Sequence, residues 1–349
     1  MKTKLLKMHS QVPDIQKLVQ AAEIIKGGGL VAFPTETVYG LGANAMDRDA
    51  VAGIFRAKGR PADNPLIVHI AKAVEVKYLS TYLPVGAGEL MKAFWPGPLT
   101  LVLPRHPRVP KIVSAGLDTV AIRMPQHPVA LALIKAARVP IAAPSANRSG
   151  KPSPTTGTHV LKDLAGKIEA IVDAGPCDVG VESTVVDLTA SVPTILRPGG
   201  ITLEQLQAVL GKVEMDPALA AGEMPRAPGM KYVHYAPEGE LILVEGDLPG
   251  VFDKICQLYR HYLSQGLRVG ILASEENSFR YRQELQPEII VSLGSHKRPE
   301  TAANKLFSAL RSCDRRHAQI ILCEAFPREG VGVALMNRLE KAAKRRISL

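Results

Sequence analysis

Lys58-Gly59-Arg60-Pro61-Ala62-Asp63-Asn64-Pro65-Leu66-Ile67-Val68-His69 is a stiff connection between two packed elements. Asp47 to Ala57, just before it, has a helical pattern, and Leu66 to Ile70 reads as a short buried strand. Pro61 and Pro65 fix φ and remove two backbone donors, so Lys58, Arg60 and Asn64 sit on a turn with little freedom. Two cations held this way suit an anion that accepts forked hydrogen bonds, phosphate or carboxylate. A solvated surface loop is the other reading of an isolated Lys-x-Arg, and the rest of the chain has to decide between them.

Working outward, helix and strand patterns alternate. Asp14 to Lys26 has helical spacing and stops at Gly27-Gly28-Gly29. Those glycines follow a helix and precede a strand, the reverse of a phosphate-binding loop. The strand Leu30 to Phe33 opens into Pro34-Thr35-Glu36-Thr37-Val38-Tyr39-Gly40-Leu41-Gly42. Hydroxyls, a carboxylate and a phenol crowd this strand exit, where open α/β sheets place ligands. Leu99 to Leu103 and Thr119 to Met124 are strands between proline-rich turns. Arg123 lies in an apolar strand and needs a partner, either a structural carboxylate or that of a substrate. Its strand-end position favours a substrate.

His127 to Ala137 reads as a helix, and Val139 to Ala143 as a strand that delivers Pro144-Ser145-Ala146-Asn147. No Gly-x-Ser-x-Gly surrounds Ser145, so a serine hydrolase is rejected. Pro154 to Thr156 begin a further helix. Strands follow at Ile168 to Asp173, Ser183 to Leu188 and Thr194 to Leu196, then a helix at Ile201 to Leu210. Residues 215–238 are rich in Ala, Pro and Gly and read as a linker. Two tyrosines, a lysine and a histidine near Lys231 to Tyr235 suggest that it docks on the first domain. Beyond it, strands at Leu241 to Glu245, Arg268 to Ala273, Glu288 to Leu293 and Gln319 to Glu324 alternate with helices, which predicts a small parallel sheet. The domains expected are therefore 1–214, a linker 215–238 and 239–349.

The chain has 349 residues and a formal net charge of +10, which favours phosphorylated or polyanionic partners or reflects a lysine-rich surface. Lys341, Lys344, Arg345 and Arg346 concentrate part of that charge at the end of the sequence. Cys177, Cys256, Cys313 and Cys323 show no zinc spacing and read as reduced, mostly buried thiols of a cytoplasmic protein. No signal peptide and no membrane-length apolar run is found.

Phe33 to Leu41, Lys58-Gly59-Arg60-Pro61, Asn64-Pro65-Leu66, Trp95 to Thr100, Arg123-Met124-Pro125, Pro144 to Asn147 and Glu182-Ser183-Thr184 together resemble the Sua5/YrdC/YwlC family of threonylcarbamoyl-AMP synthases. Pro228 to Pro237 and the last α/β domain look like the longer, two-domain Sua5 form. The resemblance implies a YrdC-like open twisted α/β sheet with a basic concave crevice, joined to a Rossmann-like parallel α/β Sua5 domain. It implies a nucleotidyltransferase that joins L-threonine, bicarbonate and ATP into threonylcarbamoyl-AMP, releasing diphosphate and water. Other proteins would then transfer the threonylcarbamoyl group to adenosine 37 of tRNAs reading codons that start with A. Whether tRNA touches this chain directly stays open.

By the same resemblance, Thr37, His69, Arg123, Ala143 and Ser183 would hold threonine. Lys58, Arg60, Asn64, Thr119, Ser145, Asn147, Ser153 and Arg197 would hold ATP, with Lys58 and Arg60 catalytic. His234 or Tyr235 would close over the nucleotide as a lid, and a magnesium ion would arrive with ATP. Two rivals remain. Related domains that adenylate from carbamoyl phosphate sit in larger chains with zinc-finger and acylphosphatase parts. A non-catalytic RNA-binding module would suit the charge, although no aromatic stacking platform is visible.

Overall fold

The computed structural model describes residues 2–217 and 235–349. It divides into two compact units, Met1–Ser149 with Ser153–Tyr232, and Gly150–Pro152 with Val233–Leu349.

The first unit runs β1 (Lys4–Lys7), α1 (Ile15–Lys26), β2 (Val31–Phe33), β3 (Gly40–Asn44), α2 (Arg48–Lys58) and β4 (Ile67–His69). A 3-10 turn (Ala73–Tyr78), α3 (Ala87–Phe94), β5 (Leu99–Pro104), β6 (Thr119–Arg123), α4 (Pro128–Ala137) and β7 (Ile141–Ala142) follow. It ends with α5 (Gly157–Leu164), β8 (Ala170–Asp173), β9 (Thr184–Asp187), β10 (Thr194–Arg197), α6 (Leu203–Leu210) and β11 (Glu214–Met215). The helix ends are written locally. Asp14, Asp47 and Thr156 side chains accept the first free N–H groups of α1, α2 and α5. Gly59, at φ 62°, ends α2 in the left-handed region, so Lys58 is its last residue and its side chain is aimed by a fixed stop.

The strands form one mixed sheet of eleven, ordered β1-β8-β2-β3-β7-β4-β6-β5-β9-β10-β11. Alternation along its central strands decides where the chemistry sits. Val68, Val120, Ile122, Leu101, Leu103 and Val186 point into the main core with α2, α3, α5 and α6. Their neighbours point the other way, where Ile67, Val102, Ala121, Val185 and Leu196 form a separate small apolar cluster. His69, Arg123 and Thr100 share that second face, because the register sets His69 opposite Arg123 and Arg123 opposite Thr100.

The second unit contains β12 (Glu240–Glu245), α7 (Leu248–Ser264), β13 (Val269–Ser274), α8 (Glu275–Leu285), β14 (Ile289–Gly294), α9 (Pro299–Arg315), β15 (Ile320–Glu324), α10 (Gly332–Ala342) and β16 (Arg345–Ser348). Its five strands are parallel, ordered β14-β13-β15-β12-β16. The strand–helix alternation expected here is present, with one addition. The basic run near the end forms edge strand β16, where Arg345 pairs with Glu240 at 2.5 Å and Arg346 with Glu245 at 2.8 Å. That part of the positive charge is neutralised by pairing, and charged side chains on an edge strand also oppose edge-to-edge association. All four cysteines are free and buried. Among the described residues no helix is long and apolar enough to cross a membrane.

Candidate active site

Nearly all the polar candidates of the first unit lie toward one or other end of β4, β6 and β7. β6 places Thr119, Ala121 and Arg123 on one face, since side chains two apart share a face. Four residue steps of about 3.3 Å separate the outer two by about 13 Å.

At the Arg123 end the contacts are dense. Arg123 Nη2 donates to Glu36 Oε1 at 2.6 Å, Nη1 to Thr37 Oγ1 at 2.9 Å and Nε to the Gly97 carbonyl at 3.2 Å. The side chain is buried, so a partner was required, and Glu36 supplies it. Guanidinium carries five N–H donors, and three are used here. Thr37 Oγ1 also shares a 2.8 Å hydrogen bond with Thr35 Oγ1. Thr100 and Ser183 hydroxyls share one of 2.7 Å, and Arg197 Nη2 donates to the Ser183 carbonyl at 2.9 Å. Ser153 donates to Glu182 Oε1 at 2.6 Å. Arg197 and Ser153, expected with the nucleotide, therefore make these contacts on the Ser183 side.

His69 completes this end. Burial, with the positive charge of Arg123 second, pushes its imidazole down to about 3. It is therefore neutral at any working pH and offers hydrogen bonding rather than charge. The linkage has a definite sign. Between about 3 and the unfolded value near 6.5 the unfolded chain binds the extra proton, so stability is full above 6.5 and falls as pH drops. A loss of about 1.4 kcal/mol per pH unit is expected in that window. Urea unfolding at pH 7 and pH 4.5 checks it: His69→Gln should lose less stability on acidification than the unmodified chain, and an equal loss would contradict the assignment.

The other end gathers around Lys58. Its ammonium donates to the carbonyls of Ser145 at 2.5 Å and Asn147 at 2.6 Å, tying the end of α2 to the loop after β7. Ser145 Oγ donates to Asn147 Oδ1 at 2.5 Å. β7 runs antiparallel to β4, so this loop heads toward the segment that precedes β4, which carries Arg60 and Asn64. Arg60 Nη2 donates to the carbonyls of Asn64 and Pro65. Asn64 is 1% exposed, yet neither its Oδ1 nor its Nδ2 has a hydrogen-bond partner among the described residues. A buried amide left this way is costly unless something supplied from outside completes it. β4 and β6 are parallel, so Asn64 precedes β4 on the side where Thr119 begins β6. Ala143 lies between the two ends, its N–H donating to Ile67 at 2.9 Å. Among the described residues no side-chain hydrogen bond joins Thr119 to the other candidates.

Tyr39, read from sequence as part of the ligand crowd, is structural: its hydroxyl donates to the Gly175 carbonyl at 2.7 Å, and burial raises its pKa. Glu36 and Thr100 were not singled out from sequence as site residues. Glu36 had a signal, a carboxylate flanked by threonines in a chain with a strand-buried arginine. Thr100 had none, because only the sheet register brings it opposite Arg123. His234 lies outside the described residues. Tyr235 belongs to the second unit, 5% exposed, with its ring 5.2 Å from that of Phe307. No group of three or more His, Cys, Asp or Glu that could hold a metal ion occurs among the described residues.

Residues 23–199 match the family model described as "Telomere recombination", the Sua5–YciO–YrdC model, and residues 201–344 match that of the threonylcarbamoyl-AMP synthase C-terminal domain. The chain is 51% identical to the threonylcarbamoyl-AMP synthase of Bacillus subtilis, over 95% of this chain and 94% of that one. It is 50% identical to the one from Pyrococcus abyssi over 95% of each. The crystal structure of P. abyssi Sua5 complexed with L-threonine superposes with a TM-score of 0.93 at 47% identity, covering all of both chains. E. coli YciO matches 56% of this chain and 96% of its own, with a TM-score of 0.51 and 25% identity. The chain thus belongs to the Sua5–YciO–YrdC family, in the two-domain form that carries the threonylcarbamoyl-AMP synthase C-terminal domain.

Proposed function

We propose that this protein is an L-threonylcarbamoyladenylate synthase that condenses L-threonine, bicarbonate and ATP, releasing diphosphate and water. The observation that carries the reading is the gathering of polar groups at the two opposite ends of β4 and β6. Arg123, Thr37, His69 and Ser183 suit a small amino acid at one end. Lys58, Arg60, Asn64, Ser145, Asn147 and Thr119 suit a nucleotide at the other. The small Ala143 and Ala121 lie between them. Threonine's amine becomes an N-carboxylate, which displaces diphosphate from the α-phosphorus. ATP, bicarbonate and the threonine carboxylate are all anionic, so cations in a buried site offset their repulsion, and holding the reactants in place supplies much of the rate. No covalent protein intermediate is needed.

A magnesium ion would arrive on the phosphates of ATP, as is usual for that ion. His234 or Tyr235, in the linker 215–238 between the catalytic domain 1–214 and the domain 239–349, would close over the nucleotide. The product would serve proteins that modify adenosine 37 of tRNAs reading codons starting with A.

With ATP, bicarbonate and threonine the protein is expected to release pyrophosphate, and omission of threonine should stop it. Serine should be poorer by about 1–3 kcal/mol in kcat/KM, because it lacks the methyl group that fills the pocket. Release that ignores the amino acid would overturn the assignment.

A further inference from the structure

Glu36 is 5% exposed and uses only one of its two oxygens. Oε1 accepts from Arg123 Nη2 at 2.6 Å, whereas Oε2 is buried with no hydrogen-bond partner among the described residues. The backbone fixes this placement: Val179 N–H donates to the Glu36 carbonyl at 2.8 Å and Gly180 N–H to that of Thr37 at 3.1 Å. An unpaired carboxylate oxygen in a buried setting is unfavourable, and a structural ion pair alone gives no reason to keep one. Arg123 has the complementary surplus. Its bonds to Gly97, Thr37 and Glu36 take three N–H groups, which leaves one on each terminal nitrogen. Side by side, the pair offers two donors and one anionic acceptor. An α-amino acid presents the matching set, a carboxylate and an ammonium on one carbon.

We infer that Glu36 Oε2 receives the ammonium group of the amino-acid substrate, so that the Glu36–Arg123 pair reads the zwitterion as a unit. This rests on the threonine reading above and assigns a residue to the amine. The consequence is selectivity. A 2-hydroxy acid of the same shape offers Glu36 Oε2 a neutral O–H in place of an ammonium, so it forgoes the second ion pair.

Calorimetric titration of the full chain with L-threonine and with its 2-hydroxy analogue, 2,3-dihydroxybutanoate of matching configuration, tests the inference. The unmodified protein should prefer threonine by at least about 10-fold, since the analogue's hydroxyl can donate to Glu36 but brings no positive charge into the buried site. Glu36→Gln keeps the shape but turns the open acceptor into a donor, and should bring that preference close to unity by weakening threonine alone. Equal binding of threonine and analogue by the unmodified protein would overturn the inference and leave the threonine reading intact. So would a Glu36→Gln protein that keeps the preference or loses both ligands equally, as a purely structural role requires. Failure of the unmodified protein to bind threonine at all would sink both readings. The comparison on the unmodified protein needs no variant, so poor folding of Glu36→Gln leaves the test in force.

Discussion

Arg123→Ala is expected to cost about 3–5 kcal/mol of stability and to end threonine-dependent turnover, because it leaves Glu36 as an uncompensated buried charge. The two effects have different causes and can be separated. The double variant Arg123→Met with Glu36→Gln removes both charges and refills the volume, so most of the stability should return. Turnover should not return, because nothing is left to take the substrate carboxylate. Urea unfolding and pyrophosphate release on the same preparations give the answer. A double variant that regained both would reduce Arg123 to a structural ion pair, the alternative left open by its place in an apolar strand.

Lys58→Met should have the opposite signature. The ammonium binds the Ser145 and Asn147 carbonyls, and removing it should release the loop that carries Ser145 and Asn147. Hydrogen bonds to a charged group contribute about 1.5–3 kcal/mol each, and the loss should fall near one such bond if water replaces the other. ATP-dependent turnover should fall by at least about 100-fold, a barrier increase of about 2.7 kcal/mol. Threonine affinity should change little, because Arg123, Thr37 and His69 lie at the other end of β4 and β6. Calorimetry with threonine, alongside turnover, checks this. A parallel loss of threonine affinity would contradict the two-ended site. Lys58 acts here first through the loop it holds, a role that its place in the Lys-x-Arg turn did not suggest.

Much of the α/β pattern was legible because its signals are local. Asp47 and Gly59 bracket α2 by cap and stop, and Val68 and Ile122 mark strands by apolar runs. β3 was missed for a physical reason. Gly40-Leu41-Gly42 reads as loop by propensity, yet a Cβ on Gly42 would lie 2.7 Å from Ile141 Cγ2 and 2.8 Å from Phe33 Cε1. That glycine is set by a neighbouring strand and helix-facing ring, which local sequence does not reveal. α3 and β16 were also missed, the latter because its two adjacent arginines only make sense beside Glu240 and Glu245. The same distinction applies to the site. Lys58, Arg60, Asn64 and Arg123 stand out by residue type against their surroundings. The pairing of Arg123 with Glu36 and of Thr100 with Ser183 depends on register, which only the folded sheet supplies.

The central claim is that this face joins an amino-acid carbamate to the adenylyl group of ATP. Incubation with 13C-bicarbonate, L-threonine and ATP, followed by mass spectrometry of the nucleotide fraction, tests it directly. The expected result is threonylcarbamoyl-AMP carrying one 13C atom, formed in step with diphosphate. Diphosphate formed with no labelled adenylate, or no nucleotide turnover in the presence of all three substrates, would contradict it.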